Sequence, residues 1–184
     1  MEKVLVTGAT GYIALHCIHQ LLNQGYAVNG SLRSPERKDE IIEALKKDNT
    51  PVENLSLFTF NLTEDDGWDE GMEGCDFLLH VASPLSINTH DEDYFVKPAV
   101  SGVKRAFKFA KKHNVKKVIL TSSVAAILET GEDKQYFDET DWSDPESSEI
   151  SHYSKSKTLA EMAAWDFVKE EGHPFELAVI NPAL

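Results

Sequence analysis

The chain has 184 residues, with 31 acidic against 18 basic side chains and a formal net charge of −13. That excess of negative charge excludes bulk attraction to phosphate backbones or anionic lipid, so neither nucleic acid nor a membrane surface is an expected partner. A hydrophobic content of 41% excludes disorder as the main state; two cysteines, Cys17 and Cys75, exclude a disulfide framework and make a cytoplasmic, reducing compartment the expectation.

Apolar runs and helical patterns alternate along the whole chain. The opening MEKVLVTGAT has too short an apolar run for a secretory leader. Lys3–Thr7 is β-branched and continuous, the pattern of a fully buried strand. Ile13, Cys17 and Leu21 recur every fourth residue and mark a helix, stopped at Asn23-Gln24-Gly25. Tyr26–Leu32 reads as the second strand, and Pro35 opens a helix to about Lys47 with Ile41, Ile42 and Leu45 on its apolar stripe. Leu55–Phe60 is the third strand, a short helix spans Asp65–Met72, and Asp76–Ala82 is the fourth strand. Asp93–His113 is a long helix with Pro98 either near its start or kinking it. Lys117–Ser122 is the fifth strand, Glu129–Ser148 an acidic loop, Ile150–Glu171 a helix, and Phe175–Ile180 the sixth strand. Strands alternating with helices require parallel pairing through right-handed crossovers, so the expected fold is α/β: one open, doubly wound parallel sheet of about six strands with helices on both faces. No repeat or composition break marks a second domain within residues 1–184.

Thr7-Gly8-Ala9-Thr10-Gly11-Tyr12-Ile13-Ala14 joins the first strand to the first helix. Gly8 permits a tight turn, Gly11 lets backbone approach a pyrophosphate, and the helix N-terminus offers free N–H groups and the positive end of its dipole. A glycine turn in this strand-to-helix context is the Rossmann signature of a dinucleotide site; the bland alternative is a tight turn with no ligand. An NAD site usually carries an acid about 20 residues further on, for the ribose hydroxyls. Here that stretch is Asn29-Gly30-Ser31-Leu32-Arg33-Ser34, without an acid. Arg33 can pair with a 2′-phosphate, so NADP(H) is preferred and NAD(H) stays open; the alternative for Arg33 is a solvated surface cation.

Thr121-Ser122-Ser123 closes the fifth strand and so lies on the ligand edge of the sheet. Tyr153 and Lys157 are four apart on the last helix and share one face. A free phenol, with pKa about 10, is a poor acid–base catalyst at neutral pH, and a neighbouring ammonium stabilises its anion. Ser123 can then hold a carbonyl oxygen while Tyr153 exchanges a proton with it.

Together TGATGYIA, TSS at a strand end and YSKSK resemble the extended short-chain dehydrogenase/reductase superfamily, also described as the NAD-dependent epimerase/dehydratase family. His80-Val81-Ala82-Ser83-Pro84, Leu32-Arg33-Ser34-Pro35, Lys97 to Gly102 and YSKSKTLAEMAAW are similar to segments of its dihydroflavonol-4-reductase-like branch, which includes cinnamoyl-CoA reductases and microbial aldehyde or ketone reductases. The resemblance implies Tyr153 as acid–base residue, Lys157 as its partner and Ser123 as carbonyl anchor. It further implies that Gly8, Gly11 and Tyr12 line the pyrophosphate, that Thr7 and Ile13 also bind the cofactor, and that Arg33 meets the 2′-phosphate. Asn61 and Leu62 would flank the adenine, Val81, Ala82 and Ser83 would run along the cofactor, and Asn181-Pro182 would lead into a loop that grips the nicotinamide. A position that holds a relay water in many relatives, through an asparagine, is Ala99 here. Extended relatives continue into a small C-terminal substrate domain, and the resemblance implies that residues 1–184 are the dinucleotide-binding domain, with that substrate domain expected to be absent.

The expected function is NADP(H)-dependent reduction of an aldehyde or ketone by hydride transfer, with Tyr153 as acid–base residue. The alternatives are a nucleotide-sugar epimerase or dehydratase, and a catalytically incomplete dinucleotide-binding remnant or redox sensor. A homodimer through the two long helices is an open expectation, and no metal is expected: His16 and His19 beside Cys17 lack a completing carboxylate. His80 reads as a hydrogen-bonded core histidine, and the acidic run from Asp138 to Glu146 as a solvated loop.

Overall fold

The computed structural model describes residues 1–83, 92–131 and 134–183. Six strands, β1 (Lys3–Val6), β2 (Ala27–Leu32), β3 (Leu55–Thr59), β4 (Phe77–His80), β5 (Lys117–Thr121) and β6 (Glu176–Ile180), form one sheet in the order β3-β2-β1-β4-β5-β6. Every pairing is parallel. The order reverses beside β1, and the crevice at that switch point, outside the carboxyl ends of β1 and β4, is where open α/β sheets take ligands.

Helices α1 (Tyr12–Asn23) and α2 (Lys38–Lys47) connect the strands on one side of β1. Helices α3 (Trp68–Met72), α4 (Glu92–Lys112) and α5 (His152–Glu170) connect the others. The alternation of a β-strand divides the interior accordingly. Val4 and Val6 pack with Ile18, Leu22, Ile41 and Leu45 of α1 and α2, while Leu5 between them packs with Trp68, Phe107 and Ala164 of α3, α4 and α5. Trp68 is fully buried, stacked on Phe109, and its indole N–H donates to the Asn61 carbonyl at 2.9 Å. Helix α5 carries alanines at 160, 163 and 164 on its buried side, which allow it to lie close to α4 and the sheet.

The elements expected from the sequence are all present, and the differences lie at their ends. The second helix starts as a 3-10 turn, Pro35–Arg37, before becoming α2. Pro98 lies inside α4. Strand β4 stops at His80, two residues before the apolar run ends. The reason is that the amides of Val81 and Ala82 both donate, at 3.0 Å each, to the Thr7 hydroxyl and not to a neighbouring strand. The segment from Glu129 to Ser148 forms no helix or strand among its described residues, and Ser143 fastens it, its hydroxyl accepting from the Glu129 amide and donating to the Ala125 carbonyl.

Candidate active site

The turn after β1 is built on Gly8, whose φ of +75° lies in the left-handed region. A Cβ at Gly8 would sit 3.1 Å from the Ala82 Cβ, so glycine is what lets the end of β4 close on the turn. The Gly8 amide donates to Ser31 Oγ at 3.1 Å and the Ala9 amide to the Ser31 carbonyl at 2.7 Å, tying the turn to β2. Gly11 caps α1 without a side-chain bond, and the first turn of the helix holds no acid. The N–H groups of Tyr12, Ile13 and Ala14, which a helix cannot satisfy internally, therefore face outward at its positive end. A Cβ at Gly11 would meet only the Gly8 carbonyl, at 3.2 Å. An anion fits this cradle, and the pyrophosphate of a dinucleotide has the required charge and reach. Tyr12 stands at the rim, 80% exposed, its ring edge-on to His16 at 4.6 Å; Ile13 beside it is also exposed.

Thr7 ties β1 to β4. Its hydroxyl lies 3.0 Å from His80 Nδ1 and accepts the two amides of Val81 and Ala82. A hydroxyl has two lone pairs and one proton. With both lone pairs taken, the proton points to Nδ1, so His80 is the neutral tautomer protonated at Nε2. Full burial, with the nearby Lys157 ammonium second, pulls the His80 imidazole from its ordinary 6.5 down to about 3. Val81, Ala82 and Ser83 are half-buried along this edge; Pro84, the last residue of that motif, lies outside the described residues.

Past β2, Arg33 is exposed and has no ion pair among the described residues. Arg37, one turn on, is held by Glu40 through a two-pronged bond of 2.7 Å on each arm. Of these two guanidiniums Arg37 is the one engaged by a carboxylate. Asn61 and Leu62 follow β3. The Asn61 side-chain oxygen is engaged by the amide and hydroxyl of Thr63, at 2.7 Å each. Leu62 packs onto the core against Gly102. Both are thus committed to local structure, and only their position at the carboxyl edge of the sheet relates them to an adenine.

On the other side of the switch point, Ser123 starts a 3-10 turn, Val124–Ala126, that packs on α5. Its Oγ accepts the Ala125 amide at 3.2 Å, which leaves the hydroxyl proton for another acceptor. Tyr153 is the second residue of α5, whose N-cap is Ser151. Lys157 is 7% exposed; its Nζ lies 5.8 Å from the centre of the Tyr153 ring and donates to the Thr121 carbonyl at 3.4 Å. Burial pulls this amine from its ordinary 10.5 down to about 8, with Glu161 opposing the fall. Asn181 and Pro182 lie against the same strand end. Asn181 Nδ2 donates to the Ser123 carbonyl at 3.1 Å, and the Val124 amide donates to the Pro182 carbonyl at 3.1 Å.

Two features of the site escape a reading of the sequence. Glu161 is buried and accepts from Asn181 Nδ2 at 2.8 Å; its only signal is a carboxylate one turn after Lys157 on an apolar helix face. The Thr7–His80 pair spans 73 residues, and nothing in either local pattern announces it. Ser122, next to Ser123, has a buried hydroxyl with no partner among the described residues. Among those residues no group of three histidine, cysteine or acidic side chains is placed to hold a metal, and no helix is long and apolar enough to cross a membrane.

This parallel sheet in the order 3-2-1-4-5-6, with a glycine turn at its switch point, is a Rossmann-type nucleotide-binding fold. Residues 4–182 match the profile described as the NAD dependent epimerase/dehydratase family, and the chain belongs to that family. It is 38% identical to cinnamoyl-CoA reductase 1 of Petunia hybrida over 187 residues, covering all of this chain and 54% of that protein. It is 36% identical to dihydroflavonol 4-reductase of Arabidopsis thaliana, covering 95% of this chain and 47% of that one. The crystal structure of the yeast methylglyoxal/isovaleraldehyde reductase Gre2 complexed with NADPH superposes with a TM-score of 0.84 at 33% identity, covering 98% of this chain and 57% of that one. The chain thus spans about half the length of the curated relatives it matches.

Proposed function

We propose that this chain is the cofactor-binding and proton-transfer part of an NADP(H)-dependent reductase of small aldehydes or ketones. The observation that carries the reading is the buried Lys157 amine beneath the Tyr153 ring, at the strand end that also bears Ser123. A lysine is rarely buried without a task for its charge, and here it faces a phenol at the N-terminus of a helix. Reductases among the relatives, one of them solved with NADPH, support the same class of chemistry.

The α1 N-terminus with Gly8 and Gly11 would hold the pyrophosphate, and Arg33 the 2′-phosphate. The cofactor supplies the hydride when bound. Ser123 donates its free hydroxyl proton to the substrate oxygen and so fixes the carbonyl. The Tyr153 phenol gives its proton to that oxygen as negative charge develops there. Lys157 stabilises the phenolate left behind. Thr7 and His80 hold the Val81–Ala82 edge along which the cofactor would lie.

Fluorescence titration with NADPH and NADH, followed by NADPH-consumption assays on a panel of short aldehydes, tests this. Tyr153→Phe should abolish turnover while leaving the NADPH Kd within about twofold, because the phenol oxygen acts in the transition state and not in cofactor binding. A variant that turns over as fast as the wild type removes Tyr153 from the reaction. NADPH binding by the wild type without turnover of any carbonyl would overturn the reductase reading and leave a nucleotide-binding unit.

A further inference from the structure

Among the described residues, Lys157 and Glu161 are the buried side chains that ordinarily carry a full charge, 7% and 6% exposed. They are neighbours, one helical turn apart on the inner side of α5. A charge removed from water is tolerated when an opposite charge and hydrogen bonds replace its hydration. Glu161 accepts from Asn181 Nδ2 at 2.8 Å through Oε2, and the Lys157 amine, one turn away on the same buried helix face, acts on it through space without a direct ion pair. The same Nδ2 donates to the Ser123 carbonyl at 3.1 Å. Through Asn181 one carboxylate thus connects α5 to the ends of both β5 and β6 and to the backbone of Ser123, one helical turn from Lys157.

We propose that Glu161 is a positioning residue for the Tyr153–Lys157 pair: its buried carboxylate is the counter-charge that holds Lys157 as an ammonium, and through Asn181 it sets Ser123 in place beside them. The inference rests on the reductase reading for its purpose, but its physics is a property of the free protein. Among the described residues, those of α4 included, Glu161 is the one charged group that acts on Lys157. His80 on β4 is neutral near pH 7, β5 presents the Thr121 carbonyl, β6 leads to the Asn181 amide, and α5 itself presents the Tyr153 ring. Burial lowers the amine toward about 8, and Glu161 is the group that resists the drop. Without it, Lys157 would lose part of its charge at neutral pH, and with it the means to stabilise a phenolate.

The test is a pH titration of the Lys157 side-chain methylene signal by 13C NMR, on the full chain without cofactor, the signal being assigned by its loss in Lys157→Met. Glu161→Gln removes the charge yet keeps an oxygen able to accept from Asn181. In E161Q the midpoint should fall by about one unit or more, so the ammonium-to-amine ratio at pH 8 drops about tenfold. An unmoved midpoint in folded E161Q overturns the proposal, since a merely structural glutamate would not alter the titration. If E161Q alone does not fold, the Lys157→Met background decides, because a buried charge is costly only when its partner is missing. Recovery of a folded chain in that double variant supports the pairing; a chain that stays unfolded overturns it. Neither readout uses NADPH or a carbonyl, so failure here is distinguishable from failure of the Tyr153→Phe experiment.

Discussion

Replacing Thr7 by valine keeps the shape of the side chain and removes one oxygen. That oxygen makes three bonds of 3.0 Å, accepting from Val81 N and Ala82 N and donating to His80 Nδ1. Thr7 and His80 are buried, whereas the two amides belong to half-buried residues. An unpaired buried polar group costs about 1–3 kcal/mol, and partial access of water to the amides reduces their share. The sum for Thr7→Val is about 2–5 kcal/mol, a large fraction of the 5–15 kcal/mol that holds a typical domain together. Urea unfolding followed by circular dichroism reads this as a lower midpoint at unchanged slope. The variant should also bind NADPH more weakly, because the Val81–Ala82 edge is no longer fixed against Gly8. A stability loss under about 0.5 kcal/mol, the ordinary scatter of surface substitutions, would refute the claim that this hydroxyl holds β4 to β1.

Stability should depend on pH through His80. Its imidazole is held near 3 in the folded chain against 6.5 when unfolded, so between those values the unfolded state binds a proton that the folded state does not. The contribution is complete above pH 6.5 and is lost as the pH falls toward 3, at up to about 1.4 kcal/mol per unit. Unfolding curves at pH 7 and 5 for the wild type and His80→Gln measure it, and equal slopes in the two proteins would contradict it. Arg33→Ala should weaken NADPH about tenfold or more and leave NADH nearly unchanged, as expected for one charge-assisted phosphate contact; parallel losses for both would detach Arg33 from the 2′-phosphate.

The legible part of this protein is what local pattern encodes. A β-branched run, a glycine turn and an apolar stripe at every fourth residue each report on a few consecutive residues. They placed the strands and helices within a few residues, along with the Gly8–Gly11 turn and the Tyr153–Lys157 spacing. The prior rule that such alternation builds a parallel sheet then sufficed for the architecture. Boundaries failed where a distant group competed for the backbone, as at the end of β4, where Thr7 takes amides that the local pattern assigns to a strand.

What only the folded chain decides is which distant side chains share an interior. Spacing along a helix says that Lys157 and Glu161 lie on one face; it does not say that the face is buried, nor that Asn181 arrives from β6 to bridge Glu161 to Ser123. The neutral state of His80 likewise follows from full burial near a cation, a property of three-dimensional surroundings and not of the residues on either side of it. Local sequence fixes backbone periodicity because hydrogen-bonding and steric preferences act between near neighbours. Charge states and hydrogen-bond partners depend on desolvation and on contacts that close over many tens of residues, and these come into being only when the sheet assembles.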